Sequence, residues 1–485
     1  MNRKLIIRFL GALMMIEAAA MVPALGISLI YRDGDTRALL YSILLVVSAG
    51  ALMTFLPRTG SNTHLRLKEG YIITALGWIV LGVCGTLPFL FSHAFSRFED
   101  AFFETVSGLT TTGASVLTQF EGFPRGVMFW RATTHWIGGM GVLVLTLALL
   151  PKLTGRTSHL VRAESPGPSL SKLVPKTGAT AKILYQIYIL LTTLEFIILM
   201  LCGMTPYDAA VHAMATAGTG GFSNKSSSVA AFCSVPVDIV ITVFMFMFGV
   251  NFALYYRCLI GERFRAFLKD EEFRWYFTIV LGFILIVTLI NLPYYQGDFW
   301  TSLRYGSFQI SSIMSTTGFV TADFSQWPAA SHVIIILAML IGSCAGSTAG
   351  GMKVIRINML CKLSRRNIRS ASQPKKMSVV RVDGKAVDES ILSQVAQFAF
   401  MYICLVLAGG FIMAAFSHYD LTTSLTASLT CVSNVGPGLG AVGPVENFAG
   451  YGVVGKMTAS FLMLFGRLEL LPMFILFNRS TWLKN

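Results

Sequence analysis

Charged side chains are scarce in this chain. Asp, Glu, Lys and Arg make up 13% of its 485 residues, whereas 54% of the residues are hydrophobic. A soluble protein of this composition would expose too much apolar surface. Apolar runs of about 20 residues recur along the chain, and each is long enough to cross the hydrocarbon core of a bilayer as a helix. The sequence therefore predicts a polytopic, all-α membrane protein with essentially no soluble domain.

Several motifs that would indicate other chemistry are also missing. The eight cysteines form no CxxC pair, so neither a disulfide framework nor a zinc site follows. There is no GxxxxGK[ST] motif, and the GxGxxG match at 438–443 follows no strand of a βαβ unit. No clustered His, Asp, Glu or Ser set indicates an enzyme. The net charge of +14 comes from Lys and Arg in alternate loops, which does not favour nucleic-acid binding.

What the chain does contain is an internal repeat. Two helices, 5–31 and 38–56, precede a unit that occurs four times: a long helix, a short helix, a glycine loop and a second long helix. The central glycines recur about every hundred residues, which indicates pseudo-symmetry. They are Gly113, Gly221, Gly318 and Gly436. Ten full crossings and four re-entrant short helices around a pseudo-fourfold pore are expected.

The repeat sets the expected boundaries. The predicted divisions are 1–69 for the two leading helices and a connector, and 70–180, 181–272, 273–388 and 389–485 for the four pore units. The short helices are predicted at 98–108, 207–217, 300–314 and 420–432. The second long helices are predicted at 127–150, 235–260, 331–358 and 451–477.

The distribution of cations predicts the orientation. The connectors between units, 151–182, 257–274 and 353–385, are rich in Lys and Arg, whereas the segments with the glycine loops have few cations. The positive-inside rule then places the connectors and both termini in the cytoplasm, with the glycine loops opening outward.

The glycine loops carry the predicted chemistry. Irregular backbone at membrane depth is stable only around water or ions, because its N–H and C=O groups need partners. Backbone carbonyls can replace the hydration shell of a monovalent cation, and glycine adopts dihedral angles closed to other residues. The alternative, small-residue helix packing, would not require four repeats in one context. The candidate ligands are Thr111, Thr112, Gly113, Thr219, Gly220, Gly221, Thr316, Thr317, Gly318, Asn434, Val435 and Gly436.

With the loop sequences TTTGA (110–114), TGGFS (219–223) and STTGF (315–319), this repeated unit resembles the TrkH/KtrB/HKT superfamily of potassium transporters. RATTHWIGGMGVLVL (131–145), GSCAGSTAGGMK (342–353) and the two leading helices are most similar to its TrkH branch. The resemblance covers essentially the whole chain. It implies one K⁺ pore per subunit, a homodimer in a bacterial inner membrane, and a cytosolic TrkA-type ring that binds the nucleotide.

Two details of the filter bear on this resemblance. The fourth loop reads SNVGPG, which departs from the TTG form. In relatives, a serine in place of the first filter glycine goes with sodium conduction. Gly113 is present here, which favours potassium.

The resemblance also implies a gate. In the family, the stretch that matches Gly342–Gly351 is an intramembrane loop beneath the filter that blocks the pore. This role falls on Gly346, Ser347, Thr348, Ala349, Gly350 and Gly351. The alternative is close helix packing through small residues spaced by four. Arg467 is predicted within the last long helix, where an arginine usually faces a wet cavity. It matches an arginine near the gate; a structural ion pair with another helix is the alternative.

Three carboxylates, Asp100, Glu104 and Asp208, are placed at the beginning of short helices, where they suit the positive helix end and could draw cations from outside. The leading functional hypothesis is channel-like K⁺ uptake, and the second is an H⁺- or Na⁺-coupled symporter of the carrier type. A carrier would need broken helices in inverted halves, whereas these units run in one orientation. The basic connectors are expected to dock the regulator and to face anionic lipid. No organic cofactor is expected on this chain.

Overall fold

The computed structural model describes residues 3–56, 67–141, 177–262, 264–373 and 378–482. Within these ranges the chain is predominantly helical, as predicted, and the regular strands form one hairpin. In that hairpin β1 (Arg381–Val382) pairs antiparallel with β2 (Lys385–Ala386). The described part therefore belongs to the all-α class.

The two leading helices pack closely against each other. They are α1 (Arg3–Tyr31) and α2 (Thr36–Phe55). Gly11 faces the Gly50 carbonyl at their crossing, and Gly50 faces that of Gly11, so that a side chain at either position would collide with backbone. Small residues at such a crossing let helix backbones approach within a membrane.

The four repeated units follow in order. Unit 1 contains α3 (Leu67–Cys84), α4 (Leu87–Phe91), α5 (Phe98–Leu109) and α6 (Arg125–Gly139). Unit 2 contains α7 (Thr177–Leu201), α8 (Pro206–Gly218), α9 (Val235–Phe248), α10 (Phe252–Arg257) and α11 (Arg265–Lys269). Unit 3 contains α12 (Glu271–Asn291), α13 (Phe299–Met314), α14 (Ala329–Ile341) and α15 (Val354–Ser372). Unit 4 contains α16 (Glu389–Ala415), α17 (Leu421–Ser433), α18 (Val453–Arg467), α19 (Leu471–Phe477) and α20 (Arg479–Trp482).

The short helices α5, α8, α13 and α17 agree with the predicted ranges to within one residue at each end. Three of them begin at a side-chain cap. The Thr205 hydroxyl accepts from the Asp208 amide, and the Asp298 and Asp420 carboxylates accept from the amides of Trp300 and Thr423. Such caps satisfy amides that have no partner in the first turn, so these starts are encoded locally.

Six helices in the described part are long and apolar enough to cross a membrane. They are Arg3–Tyr31, Thr36–Phe55, Lys68–Phe91, Ala181–Leu201, Glu271–Asn291 and Glu389–Ala415. These are the two leading helices and the first long helix of each unit. The bent pair α9 and α10 would make a seventh span.

The second long helices predicted at 235–260, 331–358 and 451–477 are all interrupted, and in unit 3 the interruption coincides with the loop that the resemblance implies. In unit 2, α9 and α10 meet at an angle of 91°. In unit 3, residues 342–353 separate α14 from α15, and in unit 4 the positive φ angles of Glu469 and Leu470 separate α18 from α19. In unit 1, α6 ends at Gly139 with Met140 as its C-cap, and the part of the predicted helix 127–150 beyond residue 141 lies outside the described residues.

The breaks in units 2 and 3 form backbone hydrogen bonds with each other. The Phe252 amide donates to the Gly346 carbonyl at 3.1 Å, and the Cys344 amide donates to the Gly249 carbonyl at 3.1 Å. Interrupted helices free backbone groups that must find partners inside a membrane protein. The break in unit 2 therefore supports the break in unit 3.

Candidate functional site

The four glycine loops meet in a closed ring. A Cβ added to Gly113 would lie against the Gly220 carbonyl of unit 2, and one on Gly221 would lie against the Thr317 carbonyl of unit 3. Gly318 faces Val435 of unit 4 in the same way. A Cβ on Gly436 would come within 2.7 Å of the Thr112 carbonyl oxygen, which returns the ring to unit 1. Residues far apart in sequence thus surround one axis.

The backbone of the four loops repeats closely. Thr111, Thr219, Thr316 and Asn434, the residues two positions before the central glycines, each have φ of 55°. The glycines have φ of 79° at Gly113, 75° at Gly221, 80° at Gly318 and 105° at Gly436. The fourth loop departs most at its glycine, where its sequence also departs from the TTG form. Positive φ is costly for side chains other than glycine, so these loops are held by their surroundings.

The same backbone hydrogen bond closes every loop onto its short helix. The Thr112 amide donates to the Ser107 carbonyl at 2.9 Å, and the Gly220 amide donates to Ala215 at 2.9 Å. The Thr317–Ser312 and Val435–Thr430 pairs repeat it at 2.8 Å and 3.0 Å. The repeat seen in the sequence is therefore a repeat of backbone geometry.

A cavity of about 160 Å³ opens on one side of the ring. All four central glycines line it, together with loop residues that follow them, including Ser115, Ser223 and Glu446. The cavity connects the narrow ring to the segments that join each short helix to the next long helix. It is a polar mouth above the four loops.

The predicted gate stretch lies against the opposite end of the ring, where the loops begin. Residues 342–353 are not α-helical, and Gly342, Gly346, Gly351 and Lys353 have positive φ. The Gly350 amide donates to the Thr316 hydroxyl at 2.8 Å, and the Ser343 hydroxyl donates to the Met314 carbonyl at 2.7 Å. The alternative of helix packing through small residues spaced by four is therefore wrong.

Arg467 joins this stretch to the ring. It is the last residue of α18 and not a mid-helix residue as predicted, because the chain breaks after it. Its Nη1 donates to the Thr348 carbonyl at 2.7 Å and to the Thr111 hydroxyl at 3.3 Å. Its Nη2 donates to the carbonyls of Gly138 and Gly139 at 2.5 Å and 2.6 Å. One guanidinium thus connects the first glycine loop, the gate stretch and the end of α6.

Other charged side chains anchor the same stretch. The buried Glu272 carboxylate accepts from the amide of Ala345 at 2.6 Å, inside the gate stretch, and from the amide of Ile355 at 3.2 Å, in the first turn of α15. The Lys353 ammonium donates to the Ala349 carbonyl. Arg356 at the start of α15 pairs with Glu469 in the break of unit 4 at 2.6 Å. The sequence alone does not single out Glu272, because an acid in the first turn of an apolar helix is an ordinary pattern. Nor does it single out Lys353, which is one of many cations in the connector 353–385.

The three carboxylates that were expected to draw cations are already partnered. Asp100 pairs with Lys456 at 2.5 Å, and Asp208 accepts from Asn224 at 2.6 Å. Glu104 does not begin its helix but lies seven residues into α5, fully buried against Arg131. The expected attraction of external cations therefore does not apply to Glu104.

Comparisons with known proteins agree with this architecture. A family profile described as TrkH, cation transport protein, matches residues 37–482. The chain is 35% identical over 489 residues to the Trk system potassium uptake protein TrkH of Salmonella typhimurium, covering 99% of this chain and 100% of that protein. It is 31% identical to TrkG, a Trk system potassium uptake protein of Escherichia coli, over 97% of each chain.

A solved structure gives the same result for the fold. The crystal structure of the potassium transporter TrkH from Vibrio parahaemolyticus matches this chain with a TM-score of 0.89 at 32% identity, over 100% of both chains. The fold is thus shared along the whole length of both chains. The chain belongs to the TrkH family of cation transport proteins, and it is a membrane transporter, not an enzyme.

Proposed function

We propose that this chain takes up K⁺ across a bacterial inner membrane, with the four glycine loops as a selectivity filter of backbone carbonyls. The observation that carries the proposal is the closed contact of each central glycine with the next loop. Alternation of positive and negative φ along each loop is a backbone arrangement that can align successive carbonyls on one side. Carbonyl rings of this kind can replace the hydration shell of K⁺. The relatives named as potassium uptake proteins support the choice of ion.

The proposed ligands are the residues predicted from the sequence. They are Thr111, Thr112, Gly113, Thr219, Gly220, Gly221, Thr316, Thr317, Gly318, Asn434, Val435 and Gly436. K⁺ is cargo in this proposal, and the chain's part is to replace its water and to hold the loops apart at the right distance. The four short helices end at the loops, so their negative C-terminal ends add to the attraction for a cation.

We infer that residues 346–351 and Arg467 gate this conduit. The stretch is bonded to the loops of units 1 and 3 directly or through Arg467, and a positive guanidinium beside the ion path opposes a cation. Opening then requires the Arg467–Thr348 bond to break or to shift. A cytosolic TrkA-type nucleotide-binding ring, acting on a homodimer, is the proposed regulator, with the basic connectors as its docking and lipid-facing surface.

An ion-coupled carrier is the second candidate, because helices broken within the membrane are typical of carriers. The breaks in units 2, 3 and 4 are of that kind. They occur at corresponding places in units that repeat in one order, however, and not in two inverted halves.

Rubidium uptake into proteoliposomes separates the two candidates. Uptake driven by the Rb⁺ gradient alone, unchanged by an imposed proton or sodium gradient, is expected for the channel-like mechanism. Uptake that requires one of those gradients would contradict it and favour the carrier.

A further inference from the structure

A buried ion pair lies behind the filter at the junction of units 1 and 2. The Arg131 Nε is 2.6 Å from the Glu104 Oε1, and the two side chains are 2% and 0% exposed. Glu104 comes from the short helix α5 and Arg131 from α6. Removing one partner of such a pair leaves an uncompensated buried charge, whereas a well-packed apolar pair is often as stable. The placement of this pair therefore calls for a role beyond stability.

Both members of the pair form hydrogen bonds to residues that directly follow the glycine loops. The Glu104 carboxylate accepts from the Val116 amide at 3.0 Å and from the Ser115 hydroxyl at 2.9 Å, just beyond Gly113 in the first loop. The Arg131 Nη1 donates to the Ser223 carbonyl at 3.0 Å, just beyond Gly221 in the second loop.

The Arg131 guanidinium also contacts an aromatic side chain of the second loop. Its central carbon lies 3.4 Å from the centre of the Phe222 ring. Arg131 therefore contacts the second loop twice, through a hydrogen bond to Ser223 and by packing on Phe222. A planar, forked guanidinium can serve a carboxylate, a carbonyl and an aromatic face together, which a lysine ammonium cannot do. The pair thus ties the outer ends of two neighbouring filter loops to each other.

The position that Glu104 occupies in unit 1 has an equivalent in every unit, but the side chain at that position differs from unit to unit. The residues nine positions before the central glycines are Glu104, His212, Gln309 and Ala427. The His212 Nε2 lies 3.0 Å from the Ser223 hydroxyl. The Gln309 side-chain amide, assigned with its oxygen towards the chain, accepts from the backbone amides of Thr321 and Ala322 at 2.8 Å and 3.2 Å. Ala427 has no polar group to offer. Units 2 and 3 therefore brace their own loops with neutral groups, whereas unit 1 uses a charged pair that reaches across to unit 2.

We propose that the Glu104–Arg131 pair determines selectivity by fixing the separation of the first two filter loops. The proposal rests on the filter function proposed above. A carbonyl ring that resists contraction onto the smaller ion disfavours Na⁺, which is one of the two physical accounts of K⁺ selectivity. Loops anchored by charge-assisted hydrogen bonds to a rigid fork resist that contraction better than loops held by neutral bonds. The pair is a positioning element and does not contact the ion.

The test uses Arg131→Lys and Glu104→Gln in proteoliposomes, with competition of Rb⁺ uptake by external K⁺ and Na⁺. Arg131→Lys keeps the positive charge but loses the planar guanidinium with its several donors. Glu104→Gln keeps the shape of the side chain but loses the negative charge. Each is expected to lower the preference for K⁺ over Na⁺ by about tenfold, the effect of weakening one charge-assisted hydrogen bond. Ser115→Ala keeps the Glu104–Arg131 pair but removes the hydroxyl bond to Glu104 and the bond from the Leu117 amide to that hydroxyl, and it is expected to lower the preference less than either charge variant.

Arg304→Lys is the matched control. Arg304 pairs with Asp238 at 2.6 Å between α13 and α9, away from the glycine loops, and its variant should keep the wild-type preference. An unchanged preference in every variant that purifies as a folded protein would overturn the proposal. A wild-type protein without preference for K⁺ would instead overturn the filter function, so the two failures are distinguishable.

Discussion

At the scale of single residues, two separate constraints require glycine at the centre of the four loops. Gly113 has φ of 79°, and a Cβ there would collide with the Gly220 carbonyl of the next unit. The first constraint concerns the conformation of one residue, and the second concerns its neighbour across the ring. Gly297, in the turn between α12 and α13, has φ of 84°, but no atom of the described part of the chain lies within 4 Å of the place that a Cβ would take. The pair of glycines therefore allows the two constraints to be separated.

Gly113→Ala is expected to reduce Rb⁺ uptake by at least about tenfold, because a left-handed alanine is strained and its methyl group displaces the Gly220 carbonyl. Gly297→Ala carries the same dihedral strain in open space and should transport at the wild-type rate. Uptake by both variants is measured in proteoliposomes at matched protein content. Normal transport by Gly113→Ala, or equal losses in the two variants, would contradict the ring geometry.

Residue-scale patterns also show where sequence reasoning reaches its limit. The glycine loops can be found because four similar patterns recur in one context. The sequence places Glu104 at a helix start and suggests cation attraction, but the residue is buried in mid-helix against Arg131, 27 residues later. Neither residue carries a local sign of this pairing, since the contact arises only when α5 packs against α6. Polar residues in apolar helices are visible in the sequence, but their partners are not.

At the scale of elements, the breaks in the second long helices of the units are the feature that the hydrophobic pattern does not predict. In unit 2 the apolar run continues through the break, so the sequence predicts a continuous helix there. In unit 3 the small residues of 342–353 weaken the helix, and the resemblance implies a loop. The breaks at 249–251 and 342–353 are held by backbone hydrogen bonds between the two units, and Glu272 holds the second from a third helix. Tertiary contacts, not local propensity, decide these positions. The short helices are predictable because their caps and lengths are local.

Arg467→Ala is expected to raise Rb⁺ uptake in the absence of a regulator by about tenfold, because the gate stretch loses a charge-assisted bond at Thr348. The repulsive charge near the ion path is lost as well. Arg479→Ala, which removes an exposed cation from α20, serves as the control and should not change uptake. A fall in uptake for Arg467→Ala would mean that the guanidinium supports the filter and does not restrain the gate.

At the scale of the whole molecule, the four units share a backbone but not a set of side chains. A hydroxyl six positions before the central glycine donates to the carbonyl one position after it in units 1, 3 and 4, from Ser107, Ser312 and Thr430. Unit 2 has Ala215 at this place and is instead reached by Arg131 from unit 1. Fourfold symmetry therefore holds for the backbone of the ring of loops, whereas the side chains that support it differ from unit to unit. The non-helical stretch 342–353 in unit 3 and Arg467 in unit 4 are further differences between the units.

The central claim is that the four loops together bind a dehydrated cation on their common axis. Crystals grown with Tl⁺ in place of K⁺ test it most directly, because thallium scatters anomalously and mimics potassium in size and charge. We predict anomalous density on the axis between Gly113, Gly221, Gly318 and Gly436, displaced by excess K⁺ at lower concentration than by Na⁺. Absence of density at the ring, in protein that still takes up Tl⁺, would contradict the account.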